Sequence, residues 1–208
     1  MHYYSKSTGG FYDSTIHTTW PEDAVWITDE QHAELLAGQS AGQVIMPGKD
    51  GKPVLASKAP SHLHRWDGKE WTLDKAAASQ LLAEAIDNGT KSINDLVGEA
   101  YRHVTRFGPE YQLREQQAIE YKAGGYKGEL PTQVAAFAEP TGKGGKEATD
   151  IILAQAAKLR ATLEQLGILR MKKLELKNLK TAAEVDKRAA EIVAAIRPHL
   201  QELEKVGK

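Results

Sequence analysis

Not one of the 208 residues is a cysteine. That excludes disulfide bonds, thiolate metal sites and cysteine nucleophiles, and it suits a reducing compartment. Long apolar runs are missing too: no segment approaches the ~20 consecutive apolar residues of a membrane span. The first eleven residues, polar and aromatic, lack the basic start and apolar stretch of a secretory signal. Nor is there a surplus of either charge, since 27 Lys and Arg against 28 Asp and Glu leave a formal charge of −1. A global attraction to phosphate backbones or acidic membranes is therefore lacking, and neither nucleic acid nor membrane is expected as a partner. With 41% hydrophobic and 26% charged residues, the composition is that of a soluble folded protein rather than a disordered one.

Aromatic residues are scarce in one half only. All four tryptophans, Trp20, Trp26, Trp66 and Trp71, precede residue 72, and no aromatic side chain follows Phe137. Before residue 72, short apolar-aromatic stretches alternate with turn signals such as Pro47-Gly48, Asp50-Gly51 and Asp67-Gly68, the pattern of short strands and hairpins. One helix is expected there, opened by a Thr28/Gln31 capping box and stopped at Gly38. Val44-Ile45-Met46 and Pro53-Val54-Leu55 flank Asp50-Gly51 as a hairpin whose apolar face covers that helix. A second hairpin, residues 62–72, pairs Trp66 with Trp71, worth about 0.5–1 kcal/mol.

From Asp74 the apolar period lengthens to that of helices. One helix is expected to end at Asn88-Gly89, a second to start at Ser92 and stop at Gly108-Pro109, a third to run over residues 110–123. A short fourth begins at Pro131 and is closed by Pro140. Thr141-Gly142-Lys143-Gly144-Gly145-Lys146 reads as an exposed linker. Beyond it, Ile152, Ala156, Leu159, Leu163 and Leu166 form a seam answered by Val185, Ala189, Ile192 and Ile196, the mark of a helical hairpin or coiled coil. Thr181 and Glu184 cap the last helix, Pro198 limits or kinks it, and residues 168–180 fit helix or strand equally. The fold class is thus α+β: a mainly-β domain at 1–72, a helical middle region at 73–140, a linker at 141–146 and a helical hairpin or coiled coil at 147–208.

The marks of an enzyme are absent from this pattern: no nucleophile-base pairing, tuned carboxylate pair or metal-ligand spacing stands out, so no catalytic residue, metal or cofactor is assigned. His62 and His64 would share a strand face but have no third ligand. His103 reads as a helix histidine. Gly142-Lys143-Gly144-Gly145-Lys146 resembles a phosphate loop on its face only, because Pro140 stands where the first glycine belongs and Glu147 where Ser or Thr does. Lys158, Arg160, Arg170, Lys172, Lys173, Lys177 and Lys180 make a basic run without aromatic platforms, the look of a solvated helix face.

Four words of the sequence occur in an order that identifies a family. Tyr3-Tyr4-Ser5 with Ser7-Thr8-Gly9-Gly10-Phe11-Tyr12 comes first, and Pro21-Glu22-Asp23-Ala24-Val25-Trp26-Ile27 second. Leu35-Leu36-Ala37-Gly38-Gln39 and the hairpin over residues 42–55 complete the series. Together they resemble the phage tail fibre assembly protein (Tfa) chaperone family, across about a quarter of the chain; residues beyond 72 depart from its shorter members. The resemblance implies a protein of the bacterial host cytoplasm that binds the C-terminal tip of a trimeric tail fibre and promotes its folding and trimerisation. Some members stay on the fibre as a structural tip cap, and contractile bacteriocins related to phage tails use similar chaperones. Exposed aromatics on the β module, Tyr3, Tyr4, Phe11, Tyr12, Trp20 and Trp26, are the candidate partner-binding residues, with Tyr12 and Trp20 preferred and about half of the six expected in the core. The C-terminal seam has two readings, self-association of the free chaperone or an embrace of the fibre shaft.

Overall fold

The computed structural model describes residues 1–206, with the side chains at 103 and 204–206 outside that description, so the expectation for His103 lies outside the described residues. The chain divides into two units, Met1–Leu81 and the residues from Leu82 onward.

In the first unit, β1 (His2–Ser5), β2 (Gly10–Asp13) and β3 (Ala24–Ile27) form an antiparallel sheet in the order β2-β1-β3. Helix α1 (Asp29–Ser40) follows directly. Its capping box is formed: Gln31 N–H donates to Thr28 Oγ1 at 3.1 Å and Thr28 N–H to Gln31 Oε1 at 3.0 Å. Two orphan amides at the helix start are thereby satisfied. The helix runs through Gly38 rather than stopping there, and the glycine makes room for a neighbour, since a Cβ at that position would sit 2.4 Å from Leu55 Cδ1. Leu55 belongs to the hairpin of β4 (Val44–Pro47) and β5 (Pro53–Ala56), which packs on α1 as expected. The second hairpin is shorter than the sequence suggests, with β6 reduced to Arg65–Trp66 and β7 to Trp71–Thr72. Trp66 meets Trp71 edge-on at 5.4 Å. Their indole N–H groups donate to Pro47 O (2.7 Å) and Ser57 O (2.8 Å), fastening this hairpin to the first.

A carboxylate closes the sheet from the β3 side. Ser5 Oγ donates to Asp23 Oδ1 at 2.7 Å, Ser7 Oγ to the same oxygen at 2.9 Å, and Ser7 N–H to Oδ2 at 2.8 Å. Ser5 itself is fully buried. These donors, Ser5 first, hold the Asp23 carboxyl below the ordinary value, because hydrogen bonds to the charged form favour it.

Helix α2 (Lys75–Thr105) begins in the first unit and continues into the second. The second unit also holds α3 (Gly108–Ala123), α4 (Thr132–Thr141), α5 (Gly145–Met171), a 3-10 stretch (Lys172–Asn178) and α6 (Ala182–Val206). The expected break at Asn88-Gly89 does not occur. At Gly89, α2 approaches the 3-10 stretch and α6 closely: a Cβ there would lie 3.0 Å from both Ala189 Cβ and Leu176 Cδ1. The glycine serves a close approach, and its helix-stop signal is overridden by the packing around it.

Two apolar clusters hold this unit. Ala85, Ile93, Val97 and Ala100 of α2 pack with Leu166, Leu176, Val185, Ala189, Ile192 and Ile196. Ala118, Val134 and Ala138 pack with Ala148 and Ile152. The expected α5 seam is therefore divided, Ile152 serving one cluster and Leu166 the other, as a helix of about 40 Å allows. The stretch expected as a linker is shorter than 141–146, half of it being helix: only Gly142, Lys143 and Gly144 separate α4 from α5. Gly142 closes α4 in the left-handed conformation (φ 65°), and Lys143 N–H reaches back to Ala138 O at 3.0 Å. Pro140 lies inside α4, in its last turn, and α6 continues past Pro198 to Val206. Pro198 and Ala194, the residue whose carbonyl loses its donor, are both exposed, so that carbonyl can be hydrated. The Thr181/Glu184 box caps α6, with Glu184 N–H on Thr181 Oγ1 at 3.2 Å and Thr181 N–H on Glu184 Oε2 at 3.0 Å.

Two measurements check this account. Gly89→Val is expected to cost ~1–3 kcal/mol through overpacking, whereas Gly98→Ala, in the same helix with open space around its Cβ position, should gain up to ~1 kcal/mol; urea unfolding followed by far-UV dichroism reads both. All four tryptophans lie in the first unit, so their fluorescence isolates its unfolding. Because the Asp23 carboxyl is held low, its contribution is full above about 3.8 and lost as pH falls through the lowered value. Ser5→Ala should reduce the fluorescence midpoint in urea at pH 7, with the gap to the parent closing as the pH drops below that window.

Candidate functional site

Side chains alternate between the two faces of a strand, and the register of the three-stranded sheet sorts its aromatics accordingly. Tyr3 on the central strand lies opposite Tyr12 on one side and Trp26 on the other. These three form a row across one face. Trp20, from the segment between β2 and β3, stacks on Tyr3 with ring centres 4.7 Å apart and planes 15° from parallel. Trp26 is 55% exposed and Trp20 39%, while Tyr3 and Tyr12 are partly covered. Tyr12 is held in place by its hydroxyl, which donates to Thr8 Oγ1 at 3.0 Å, and by the edge of His17.

The opposite face carries Phe11, Tyr4 and Val25 in register. Tyr4 is 1% exposed, and Phe11 lies against it at 5.5 Å and against the edge of His32 of α1 at 4.8 Å. The six aromatics are thus divided four to two. Tyr4 is an interior side chain and no contact residue of the folded chain; Phe11 belongs to the same inward layer. The reason is the period of two, which turns Tyr3 and Tyr4 to opposite sides. Of the two preferred positions, Tyr12 and Trp20 both lie in the outward group, yet Trp26 exposes the larger fraction of its surface.

Histidines support this layer in ways the sequence gives no sign of. His2 stacks on His32 at 4.0 Å and lies between Asp13 (3.5 Å) and Asp29 (3.7 Å). Burial first, and the neighbouring His2 second, push the His32 pKa below its ordinary 6.5. His17 Nδ1 accepts the Asp13 N–H at 3.1 Å, closing the end of β2.

The other sequence candidates separate. His62 lies in a turn, not on a strand, and His64 Nδ1 is 2.7 Å from Ser61 Oγ. The two therefore share no strand face, and no cluster of three or more metal-binding side chains occurs among the described residues. In the basic run, Lys158 pairs with Glu202 at 2.6 Å, Arg160 with Glu115, and Lys173 Nζ donates to Asn94 Oδ1 at 2.6 Å. Among the described residues no helix is long and apolar enough to cross a membrane. The aromatic row with Trp20 is the one exposed cluster of large rings in the first unit, and its chemistry is that of a protein contact: flat apolar area with polar edges, held in place beforehand.

No protein-family model matches the chain, and no solved structure does. Over 125 residues, 60% of its length, the chain is 35% identical to a protein of Haemophilus phage HP1 (strain HP1c1) named "Uncharacterized 23.3 kDa protein in lys 3'region", of which it covers 62%. Over 112 residues, 49% of its length, it is 30% identical to the "Probable tail fiber assembly protein" of Shigella phage SfV, of which it covers 67%. At this identity, over two thirds of the Shigella phage protein, the chain belongs to the family of phage tail fibre assembly proteins.

Proposed function

We propose that the chain is a non-enzymatic assembly chaperone that binds the C-terminal tip of a tail fibre and promotes its folding and trimerisation. The fibre belongs to a phage or to a phage-tail-like bacteriocin particle, and the work is done in the bacterial host cytoplasm, where the fibre is made. Support comes from the name of the Shigella phage relative and, above all, from the exposed row Tyr12, Tyr3 and Trp26 with Trp20 stacked upon it.

An unassembled fibre subunit exposes apolar surface and strand edges that its trimer will later close, and such surfaces aggregate. A chaperone must offer them a face that is apolar, flat and ordered before contact. Burying an exposed Trp is worth on the order of 1.5–3 kcal/mol, and the Tyr3–Trp20 stack lowers the side-chain ordering cost that binding would otherwise incur. Aromatic anchors of this kind dominate interface energetics. Self-association through the C-terminal helices is left out of the proposal, because Leu166, Val185, Ala189, Ile192 and Ile196 are buried within the unit.

Trp26→Ala and Tyr12→Ala are each expected to weaken binding to the C-terminal tip of the tail fibre of the same particle by ~10- to 100-fold, about 1.4–3 kcal/mol. Leu113→Ala, on an exposed apolar residue of the second unit, should leave it within about twofold. Calorimetric titration measures these values. Co-expression supplies the functional readout: soluble, protease-resistant fibre trimers should fall away with the two aromatic variants, and equal yields without the chain would refute the chaperone role.

A further inference from the structure

Any three-stranded sheet in the order β2-β1-β3 has two free edges, and here they differ. Ser14 N–H donates to Met1 O at 3.1 Å, which sets the phase of the β1–β2 ladder. Hydrogen-bonded and non-bonded pairs alternate along an antiparallel ladder. Tyr3 and Ser5 therefore turn their backbone groups to β2, and His2 and Tyr4 turn theirs to Ile27 and Val25 of β3. It follows that Ala24 and Trp26 direct their backbone groups outward. The Ala24 N–H is taken by Pro21 O at 3.0 Å, leaving Ala24 C=O, Trp26 N–H and Trp26 C=O as three consecutive groups open among the described residues. On β2 the outward residues are Phe11 and Asp13, but the Asp13 N–H is accepted by His17 Nδ1 and the Asp13 C=O takes the N–H groups of Ile16 (3.0 Å) and His17 (2.8 Å). Half of that edge is closed.

Edges left exposed are usually protected by a charge, a proline or a bulge within the strand. Ala24-Val25-Trp26-Ile27 contains no charge and no proline. Protection sits at its two ends instead: Glu22 and Asp23 precede it, Asp29 and Glu30 follow it, and no basic residue occurs between positions 20 and 31. A second copy docking antiparallel about Trp26, the register in which both open Trp26 backbone groups bond to their counterparts, would set Asp23 against Asp29 and Glu22 against Glu30 at both ends. Like charges directly opposite destabilise such a pairing. The same four carboxylates favour a foreign strand whose apolar stretch is bordered by Lys or Arg.

We infer that the outer edge of β3 is a strand-addition site that takes up an extended, apolar segment of the fibre client flanked by basic residues. The inference rests on the proposed chaperone role and specifies how the client is held: main-chain bonds to Ala24 and Trp26 give general affinity, the Trp26 ring meets the client side chain set beside it, and the flanking acids select the ends. Such a mode suits an unfinished trimer, whose unpaired edges have the same need for backbone partners.

Residue-resolved amide exchange on the full chain, free and bound to the C-terminal tip of the tail fibre of the same particle, tests it. In the complex the Trp26 amide should exchange at least tenfold more slowly, while the Phe11 amide is unchanged. Trp26→Pro removes the outward N–H without touching a β1–β3 ladder bond, and should bind at least tenfold more weakly than Trp26→Ala. If the proline variant loses protection at Val25 and Ile27 it has disturbed the sheet, and the exchange result on the parent chain decides. A complex in which Trp26 exchanges as fast as in the free chain overturns strand addition and leaves the chaperone role standing. Absence of any complex overturns both, and a symmetric dimer with Trp26 protected before any fibre is added overturns the choice of client over second copy.

Discussion

Tyr4 is the constraint on which the first unit depends. Its ring lies buried in the inward layer beside Phe11, which in turn meets His32 of α1, and once it is inside, the pleat leaves its neighbours no choice. Tyr3 must point outward, and so must Tyr12 and Trp26, which stand opposite it in register. A slip of one residue would exchange the two sets and expose the core. The apolar face turned to solvent is therefore not a surface added to a finished fold. It is the other half of the alternation that builds the core, and Trp20 adds to it by stacking on the ring that the alternation pushes out.

Much of this architecture was legible in the sequence wherever the signal was local. Capping boxes at Thr28 and Thr181, the turn at Asp50-Gly51 and the Trp66–Trp71 pair are decided by residues three to six positions apart. Gly89 shows where such reading ends. Asn-Gly after an apolar run reads as a helix stop, and the partner that makes the glycine necessary, Ala189, lies a hundred positions away. The linker is shorter than its composition suggests for a related reason: Gly and Lys give flexibility when nothing packs around them, but Val134, Ala138, Ala148 and Ile152 bring α4 and α5 into one cluster across three residues.

The candidate site was legible by composition and not by geometry. An excess of aromatics near the amino terminus pointed to the module that carries the exposed row. Which ring faces outward depends on strand boundaries and register, and those are set by pairings of β1 with β2 and with β3 that no single stretch encodes. His2, His17 and His32 were invisible for the same reason, since their roles are defined by rings and carboxylates brought from β1, β2 and α1. Comparison with the phage relatives supplies a family and leaves the face to be found by structure.

An exposed aromatic row beside an open strand edge is a hazard for any protein, and here it has to be held in check locally. A formal charge of −1 over 208 residues gives almost no long-range repulsion between copies, so overall electrostatics cannot keep two such edges apart. Screening reinforces the point, because charges act over about 8 Å at physiological ionic strength. Carboxylates within that distance of β3 are what count, and Glu22, Asp23, Asp29 and Glu30 bracket it on both sides. Asp23 is kept ionised by the Ser5 and Ser7 donors, so the bond network that closes the sheet also maintains part of the charge that guards its edge. Stability of the module and restraint of its sticky surface thus share a residue, which ties the fold of the sheet to its capacity to select a partner other than itself.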